Sequence, residues 1–414
     1  MTRLKILIID YCCNSVDLAW RLSHQEAEIE HIYLMADNIC PTIWQNKNLT
    51  LLPSVADIHL ILALVRSLKV ALVANFSPLL GMSGLLELLA AQGVKSLGSN
   101  RIFSETEIKK RDFKKWLIDN KFSTPQVQFE GMMVDVLSHA KQLAYPLVIK
   151  PDIQVGPPVI TLHNSQQLKQ YFALIKSQHA AAEHSVIFML EQEVLSAEVI
   201  QFHYLMVAGR AKLTHSINVL YGSKCDENQL GAMVAVSPWS QLANFKNEVE
   251  RLLNLLAATG AAAIGTLQCM VDSDGILHVL ENNARPAACN VYDDWDDLLG
   301  FILAMADDDF SELNANDFFI SQRRPYSIGV PLIHQSPKIE IADDNFDQLR
   351  DLGVAPYAFT KANSYISAHD SMPSLMIVGG ESPSKALEAF NDRFSLVTDW
   401  LAYDAVIINE DIFL

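Results

Sequence analysis

Glycine is scarce where a nucleotide fold most often uses it. None of the 17 glycines in this 414-residue chain precedes Gly81, so the opening strand within "KILIID" is followed by no GxGxxG phosphate loop. A nicotinamide-dinucleotide reading of the first domain is thereby excluded. Cysteine is equally sparse: Cys12, Cys13, Cys40, Cys225, Cys269 and Cys289 are scattered and form no CxxC pair. They read as reduced, mostly buried thiols of a cytoplasmic protein, with no zinc site. No stretch approaches the ~18 consecutive apolar residues of a membrane span. The run in "MTRLKILIIDYCC" is too short for a secretory leader, lacks a small-residue cleavage site, and reads as a buried strand. Positive charge is also in deficit, with 31 Lys and Arg against 48 Asp and Glu and a net charge of -17. Such a balance argues against a nucleic-acid partner. Any polyanion this chain binds must enter a locally basic pocket.

What is present is globular. The chain is 50% hydrophobic and 19% charged, and its length predicts two or three domains. "KILIID", "IEHIYLMA" and "KVALVANF" read as buried strands separated by helical stretches such as "SVDLAWRLSH" and "LLGMSGLLELLAAQ", which implies a parallel sheet with helices on its faces. From Ser104 to Asn120, "SETEIKKRDFKKWLIDN" predicts one helix. Ser104 with Glu107 matches a capping box, Ile108, Phe113, Trp116 and Leu117 mark the apolar face, and the lysines form a solvated one. Strands "VQFE", "PLVIKP" and "SVIFMLEQ" then alternate with helices around "VDVLSHAKQLA" and "SQQLKQYFALIKS". "AEVIQFHYLMVAGRAKL" reads as two strands joined at Gly209, and "LANFKNEVERLLNLLAATG" as a helix stopped by Gly260. The remainder, from about Arg324, holds further strands and the helix "PSKALEAFNDRF". No internal repeat or low-complexity tract interrupts the pattern.

The most informative stretch is "MVDSDGILHVLENNARP", Met270 to Pro286. Asp274-Gly275 between alternating runs predicts a two-residue hairpin turn. Ser273 then faces Ile276, and Gln268 falls opposite Glu281, with Cβ atoms roughly 5 Å apart. Asn283 shares the face of Glu281, so three oxygen-bearing side chains converge. Hard oxygen donors of this kind suit Mg²⁺, which takes one or two carboxylates together with substrate phosphates. A solvated hairpin with a polar base is the plainer alternative.

Two further features carry chemistry or none. Lys150 ends the strand "PLVIK" ahead of "PDIQVGPPV", where an ammonium can meet phosphates as a point charge or simply lie at a surface turn. "LEQEVLSAE" places Glu191, Glu193 and Glu198 at a strand exit, suited to adenine and ribose or to solvent.

The order of these pieces resembles the ATP-grasp superfamily over roughly residues 101 to 323: a basic helix, a strand-Lys-loop, an acidic strand exit, a helix, and a hairpin ending Glu-Asn-Asn-Ala-Arg-Pro. The resemblance implies an α/β fold. An N-terminal parallel-sheet domain at 1-100 precedes an ATP-grasp domain of two α+β subdomains at 101-323, with its lid at about 122-195, and a small C-terminal α/β domain at 324-414. It implies ATP and Mg²⁺ (or Mn²⁺) as cofactors. Lys110 and Lys150 would meet ATP phosphates, and Glu191 with the Glu193 to Leu195 backbone the adenine. Glu198 would meet the ribose, while Gln268, Glu281 and Asn283 become metal ligands and Arg285 neutralises the transferring phosphoryl group. Gln268 in the first metal position is similar to the carbamoyl-phosphate synthetase variant of the site.

Within the superfamily, "VDLAWRLS", "QLGAMVAVSP" and "SLMIVGGESPSKALEAF" resemble segments of the phosphoribosylamine-glycine ligases. That family makes glycinamide ribonucleotide in purine biosynthesis through a glycyl phosphate. Other stretches depart from it. "DYCCNS" replaces its Gly-Arg-Glu-His turn, "ADNICP" its Gly-Asn-Ala-Gly stretch and "PAACNVYDDW" its Phe-Gly-Asp-Pro-Glu segment. Ile217, Val219 and Leu220 stand where it carries an Asp and two basic residues. The lid loop "PDIQVGPPV" retains Gly156 alone, which leaves fewer free N–H groups to cradle phosphates. The expectation is a carboxylate-amine ligase acting on small molecules, monomeric or homodimeric, with no nucleic-acid or membrane partner. A paralogue with another amino acid or amine, and a nucleotide binder without turnover, are the alternatives.

Overall fold

A computed structural model describes residues 3–11, 15–36, 46–152, 159–178, 186–194, 198–207, 209–219, 233–236, 243–286, 296–307, 326–334, 354–355, 374–400 and 403–405. The chain divides into two compact units. One comprises Met1–Phe103, Gln201–Thr266 and Ala284–Leu414, the other Ser104–Ile200 and Leu267–Asn283.

The first unit begins with a parallel sheet of β1 (Leu4–Ile9), β2 (Ile29–Met35), β3 (Leu49–Leu52), β4 (Leu72–Asn75) and β5 (Lys95–Gly98), in the order β3-β2-β1-β4-β5. Helices α1 (Val16–Ser23), α2 (Ile58–Leu68), α3 (Pro78–Met82) and α4 (Leu85–Ala91) connect the strands. Side chains alternate across a strand, so β1 feeds two cores. Ile6 and Ile8 join Val16, Leu22, Leu205, Ile264 and Phe301 on one side, while Leu7 and Ile9 join Ile61, Leu62, Leu85 and Leu89 on the other.

The expected strands and α1 are present, and two four-residue strands join them. β3 and β5 lie at the sheet edges and are too short to show an alternation. The stretch "LLGMSGLLELLAAQ" is two helices, not one. The chain turns at Gly84, whose φ of +86 an L side chain adopts only with strain.

The second unit holds α5 (Arg101–Ile108), which starts just before it, α6 (Lys110–Asp119), α7 (Met133–His139) and α8 (Ser165–Gln178). Its sheet comprises β6 (Val127–Met132), β7 (Leu147–Pro151), β8 (Ile160–Leu162) and β9 (Ile187–Gln192), in the order β6-β9-β7-β8 and antiparallel throughout. Its core gathers Met133, Val136, Leu147, Ile149, Phe172, Phe188 and Leu190. Phe172 meets Phe188 edge to face, with ring centroids 5.0 Å apart.

The single capped helix expected from Ser104 to Asn120 is corrected by the structure. The first helix starts at Arg101, where the Asn100 side chain accepts the Phe103 N–H at 2.8 Å. Ser104 and Glu107 lie buried inside α5, so their spacing is not a capping box. Lys109, at φ -98 and ψ 72, breaks the run before α6.

The remaining strands are β10 (Glu198–Val207), β11 (Arg210–Val219), β12 (Met233–Val236), β13 (Ala263–Val271), β14 (Leu277–Asn283), β15 (Tyr326–His334), β16 (Val354–Ala355), β17 (Ser374–Gly380) and β18 (Tyr403–Ala405). They form a nine-stranded sheet in the order β14-β13-β10-β11-β12-β15-β17-β16, with β18 beside β15. Helices α9 (Lys246–Ala257), α10 (Asp296–Asp307) and α11 (Pro383–Trp400) accompany it. Gly209 joins β10 to β11 and Gly260 follows the α9 terminus, as the sequence predicts. Among the described residues no helix is long and apolar enough to cross a membrane.

Candidate functional site

Among the described residues a charge cluster in the second unit is assembled from four elements. Lys110 and Lys114 sit one turn apart on α6 and so share a helix face. Lys150 is the penultimate residue of β7, Glu191 lies near the end of β9, and Glu281 stands on β14. On β9, Phe188 and Leu190 fill the apolar core and Glu191 points to the other face. Glu191 is paired in register with Val148 on one side and Val127 on the other, neighbours that keep water from its carboxylate. Lys150, two residues beyond Val148, is its diagonal neighbour and reaches back across the sheet.

The distances show how the charges are used. Lys150 Nζ lies 2.9 Å from Glu191 Oε2 and Lys114 Nζ lies 3.0 Å from Glu191 Oε1. One carboxylate therefore serves two ammonium groups. Its side chain is only 1% exposed and that of Lys114 4%, whereas Lys150 keeps 14%. Besides its ion pair with Glu191, Lys114 Nζ donates hydrogen bonds to Thr124 Oγ1 at 2.9 Å and to the Pro125 carbonyl at 3.3 Å. Lys110 Nζ pairs with Glu281 Oε2 at 3.3 Å, with side chains 16% and 28% exposed. Three ammonium groups face two carboxylates, which leaves the cluster positive within a chain of net charge -17.

Burial pushes the Lys114 ammonium down to a pKa of about 8. The Glu191 carboxylate opposes that shift, the nearby Lys150 charge adds to it, and Glu281 opposes it from farther away. Asp152, just past β7, accepts the Arg111 backbone N–H at 3.0 Å. Its carboxyl is held above the usual range, chiefly by burial.

The hairpin differs from its expected turn. Gly275 N–H donates to the Asp272 carbonyl at 3.0 Å and Asp272 N–H to the Ile276 carbonyl at 3.1 Å. Asp272 thus pairs with Ile276 across a three-residue loop, with Gly275 left-handed at φ +76. The Asp272 side chain explains the choice, since its Oδ1 accepts from Asp274 N at 2.9 Å and Ile276 N at 2.8 Å and its Oδ2 lies 2.7 Å from His278 Nε2.

This places the register next to the turn one residue away from Ser273 opposite Ile276. Along β14 the burial phase then changes: Leu277 and Val279 are buried, Leu280 and Glu281 are both half-buried, and Asn282 is buried again. Counted outward from the Asp272–Ile276 pair, Gln268 falls opposite Leu280 and not opposite Glu281 as expected. Gln268, Glu281 and Asn283 all lie in the half-buried class, while Leu267, Cys269 and Asn282 are buried.

Asn282, one of the conspicuous polar cluster, is fully buried and donates to Thr106 Oγ1 on α5 at 2.7 Å. It ties the hairpin to that helix. Beside it, the Val279 N–H donates to the Ser123 carbonyl at 2.8 Å.

The expected ligands Gln268, Glu281 and Asn283 would together offer one carboxylate and two amide oxygens. Among the described residues no cluster of three or more His, Cys, Asp or Glu side chains offers a more anionic alternative. A hard, weakly charged set of this type fits Mg²⁺ held mainly by nucleotide phosphates. Such an ion would supply charge neutralisation at those phosphates.

Of the other expected site residues, Glu193 is half-buried just past β9, and Leu195 lies outside the described residues. Glu198 opens β10 with its side chain likewise outside them. Arg285 is half-buried in the first unit, next to Ala284, whose carbonyl accepts a hydrogen bond from Ser99 Oγ. The loop 153–158 and most of the substrate-side segments also fall outside the described residues.

Sequence reasoning missed Lys114. The reading of the α6 lysines as a solvated face is overturned for this one, which is buried between Phe113 and Leu117. The sequence signal was weak, because at about 100° per residue position 114 lies roughly 60° beyond Leu117, past the edge of the apolar arc.

No protein-family model matches the sequence, and no curated protein does. Solved structures do match. An L-amino acid ligase from Bacillus licheniformis superposes with a TM-score of 0.68 at 14% identity, covering 95% of this chain and 98% of its own. A carboxyaminoimidazole ribonucleotide synthase from Aspergillus clavatus, solved with ATP, gives a TM-score of 0.66 at 14% identity and covers 96% and 99%. The biotin carboxylase domain of 2-oxoglutarate carboxylase from Hydrogenobacter thermophilus, solved with MgADP and bicarbonate, gives 0.65 at 15% identity over 97% and 90%. The fold of this chain is that of the ATP-grasp enzymes.

Proposed function

We propose that this chain is an ATP- and Mg²⁺-dependent ligase that activates a carboxylate as an acyl phosphate and passes the acyl group to an amine. The observation that carries the reading is the buried positive cluster of Lys110, Lys114 and Lys150 around Glu191 and Glu281. A locally basic cluster of this kind is what a chain of net charge -17 needs in order to hold a nucleoside triphosphate. In this reading Lys110 and Lys150 bind phosphates, Gln268, Glu281 and Asn283 hold the metal, and Arg285 neutralises charge on the transferring phosphoryl group. Glu191 with the backbone from Glu193 to Leu195 borders the adenine, and Glu198 the ribose.

The carboxylate oxygen takes the γ-phosphoryl group and ADP leaves. The amine nitrogen then attacks the acyl carbon and phosphate leaves. Holding both reactants together supplies much of the rate, and exclusion of water protects the acyl phosphate.

On substrate, the sequence resemblance supports glycine and phosphoribosylamine, giving glycinamide ribonucleotide. A second reading, another amino acid or amine, is favoured by the rewritten segments "DYCCNS", "ADNICP" and "PAACNVYDDW". An L-amino acid ligase among the structural matches favours it too.

The deciding experiment measures ADP formation with MgATP, glycine and freshly generated phosphoribosylamine, omitting each component in turn, and then with a panel of amino acids and amines. ADP that requires all three components supports the first reading, and ADP with another pair supports the second. Glu281→Ala is expected to lower turnover by orders of magnitude. Absence of ADP with every pair, alongside ATP binding, would leave a nucleotide binder.

A further inference from the structure

Lys114 is not needed to touch a nucleotide. Its side chain is 4% exposed, and its ammonium is held by the ion pair to Glu191 and by hydrogen bonds to Thr124 and Pro125. A buried lysine is costly unless it is paired, and an apolar residue in its place would avoid that cost. Its effect is on the other end of Glu191. That carboxylate, 1% exposed, holds Lys114 by Oε1 and Lys150 by Oε2. With Lys150 alone, the pair would be neutral and Lys150 would present little net charge to an anion. With Lys114 behind it, the trio carries one positive charge, and the only member with appreciable exposure is Lys150.

We propose that Lys114 is a positioning residue for phosphate binding: through the shared Glu191 carboxylate it anchors Lys150 and leaves the Lys150 charge uncompensated toward the nucleotide. This rests on the reading of the site as a nucleotide-phosphate site. The charged groups that face Lys114 are Lys110 on its own helix, Lys150 on β7, Glu191 on β9 and Glu281 on β14. Thr124 and Pro125 meet it from the following loop and do not titrate.

A pH signature follows from the same geometry. Burial lowers the Lys114 pKa to about 8, so above that pH the ammonium is lost, Glu191 neutralises Lys150, and phosphate affinity falls. Arginine, which stays charged at all these pH values, would retain the affinity and remove the fall.

The test is calorimetric titration of the full chain with MgADP and MgATP at intervals from pH 7 to pH 9.5, for the wild type, Lys114→Met and Lys114→Arg, with thermal melting of each. The expected wild-type result is an affinity that drops across pH 8. Lys114→Met is expected to bind about tenfold more weakly at pH 7 with a flat profile. Lys114→Arg should bind as the wild type does at pH 7 and hold that affinity at pH 9.

A wild-type profile that is flat through pH 8 overturns the inference even if neither variant folds. So does a Lys114→Met protein that melts lower yet binds with wild-type affinity, the mark of a purely structural residue. A wild type that binds neither nucleotide at any pH overturns the underlying reading of the site as well.

Discussion

Glu191 is the residue on which the lysine cluster depends. A carboxylate shared by two ammonium groups, with valines to either side and almost no exposure, is stabilising only as a set. Glu191→Ala removes the common partner and leaves Lys114 and Lys150 close together without a counter-charge. Losing one partner of a buried pair costs roughly 3–5 kcal/mol. Lys114 already has a pKa near 8 and can shed its proton once the carboxylate is gone, so the expected loss lies at the lower end, about 3 kcal/mol, and shrinks above pH 9. Denaturant unfolding of Glu191→Ala at pH 7 and pH 9.5 checks both the size and the trend. Equal losses at the two pH values would mean that Lys114 keeps its proton.

At the level of elements, the β13–β14 hairpin carries the most information per residue. Its loop is set by Asp272, which accepts from two backbone N–H groups and meets His278. Its position in the unit is set by Asn282, which reaches Thr106 on α5. These ties lie on either side of Glu281, so the orientation of that carboxylate depends on both. Replacing Asn282 by Ala removes the hydrogen bond to the half-buried Thr106 hydroxyl and is expected to cost roughly 0.5–1.5 kcal/mol. Differential scanning calorimetry of the variant measures it. A melting temperature unchanged from the wild type would show that the hairpin is held by the β13 and β14 ladder alone.

For the whole molecule, the contrast between a net charge of -17 and a positive cluster has a kinetic consequence. Beyond the ~8 Å screening length at physiological salt, an approaching nucleotide feels mostly the negative net charge. Inside that range it meets the lysines. Raising salt screens the long-range repulsion first, so on the proposed function the association rate constant for MgATP is expected to rise between about 20 and 200 mM salt (about 20 to 7 Å of screening). Stopped-flow binding over that range tests it. A rate that falls with salt would mean that the field at the pocket mouth is positive out to long range.

The local alternations were legible in the sequence. Period-two runs mark β1, β2, β4, β7 and β9, and their alternation with helical stretches implies the parallel sheet of the first unit. The Asp-Gly dipeptide marks the hairpin, because few residues tolerate positive φ. The order of those pieces points to the ATP-grasp fold that the structural matches share.

Only the tertiary structure decided what covers each face. Lys114 lies beside the apolar arc of α6, and whether such a flanking position is solvated or buried depends on what packs against it, here Glu191 from a strand some 77 positions on (Lys114 to Glu191). Ser104 and Glu107 have capping-box spacing, but Asn100 starts the helix earlier, and a local pattern cannot tell which of two competing caps is used. Asp274-Gly275 marks a turn, while its register was chosen by Asp272 bonding to backbone groups two and four residues ahead. Periodicity is a property of neighbouring residues and can be read along the chain. Burial and pairing arise between residues distant in sequence, and those are what turned three lysines and two carboxylates into one cluster.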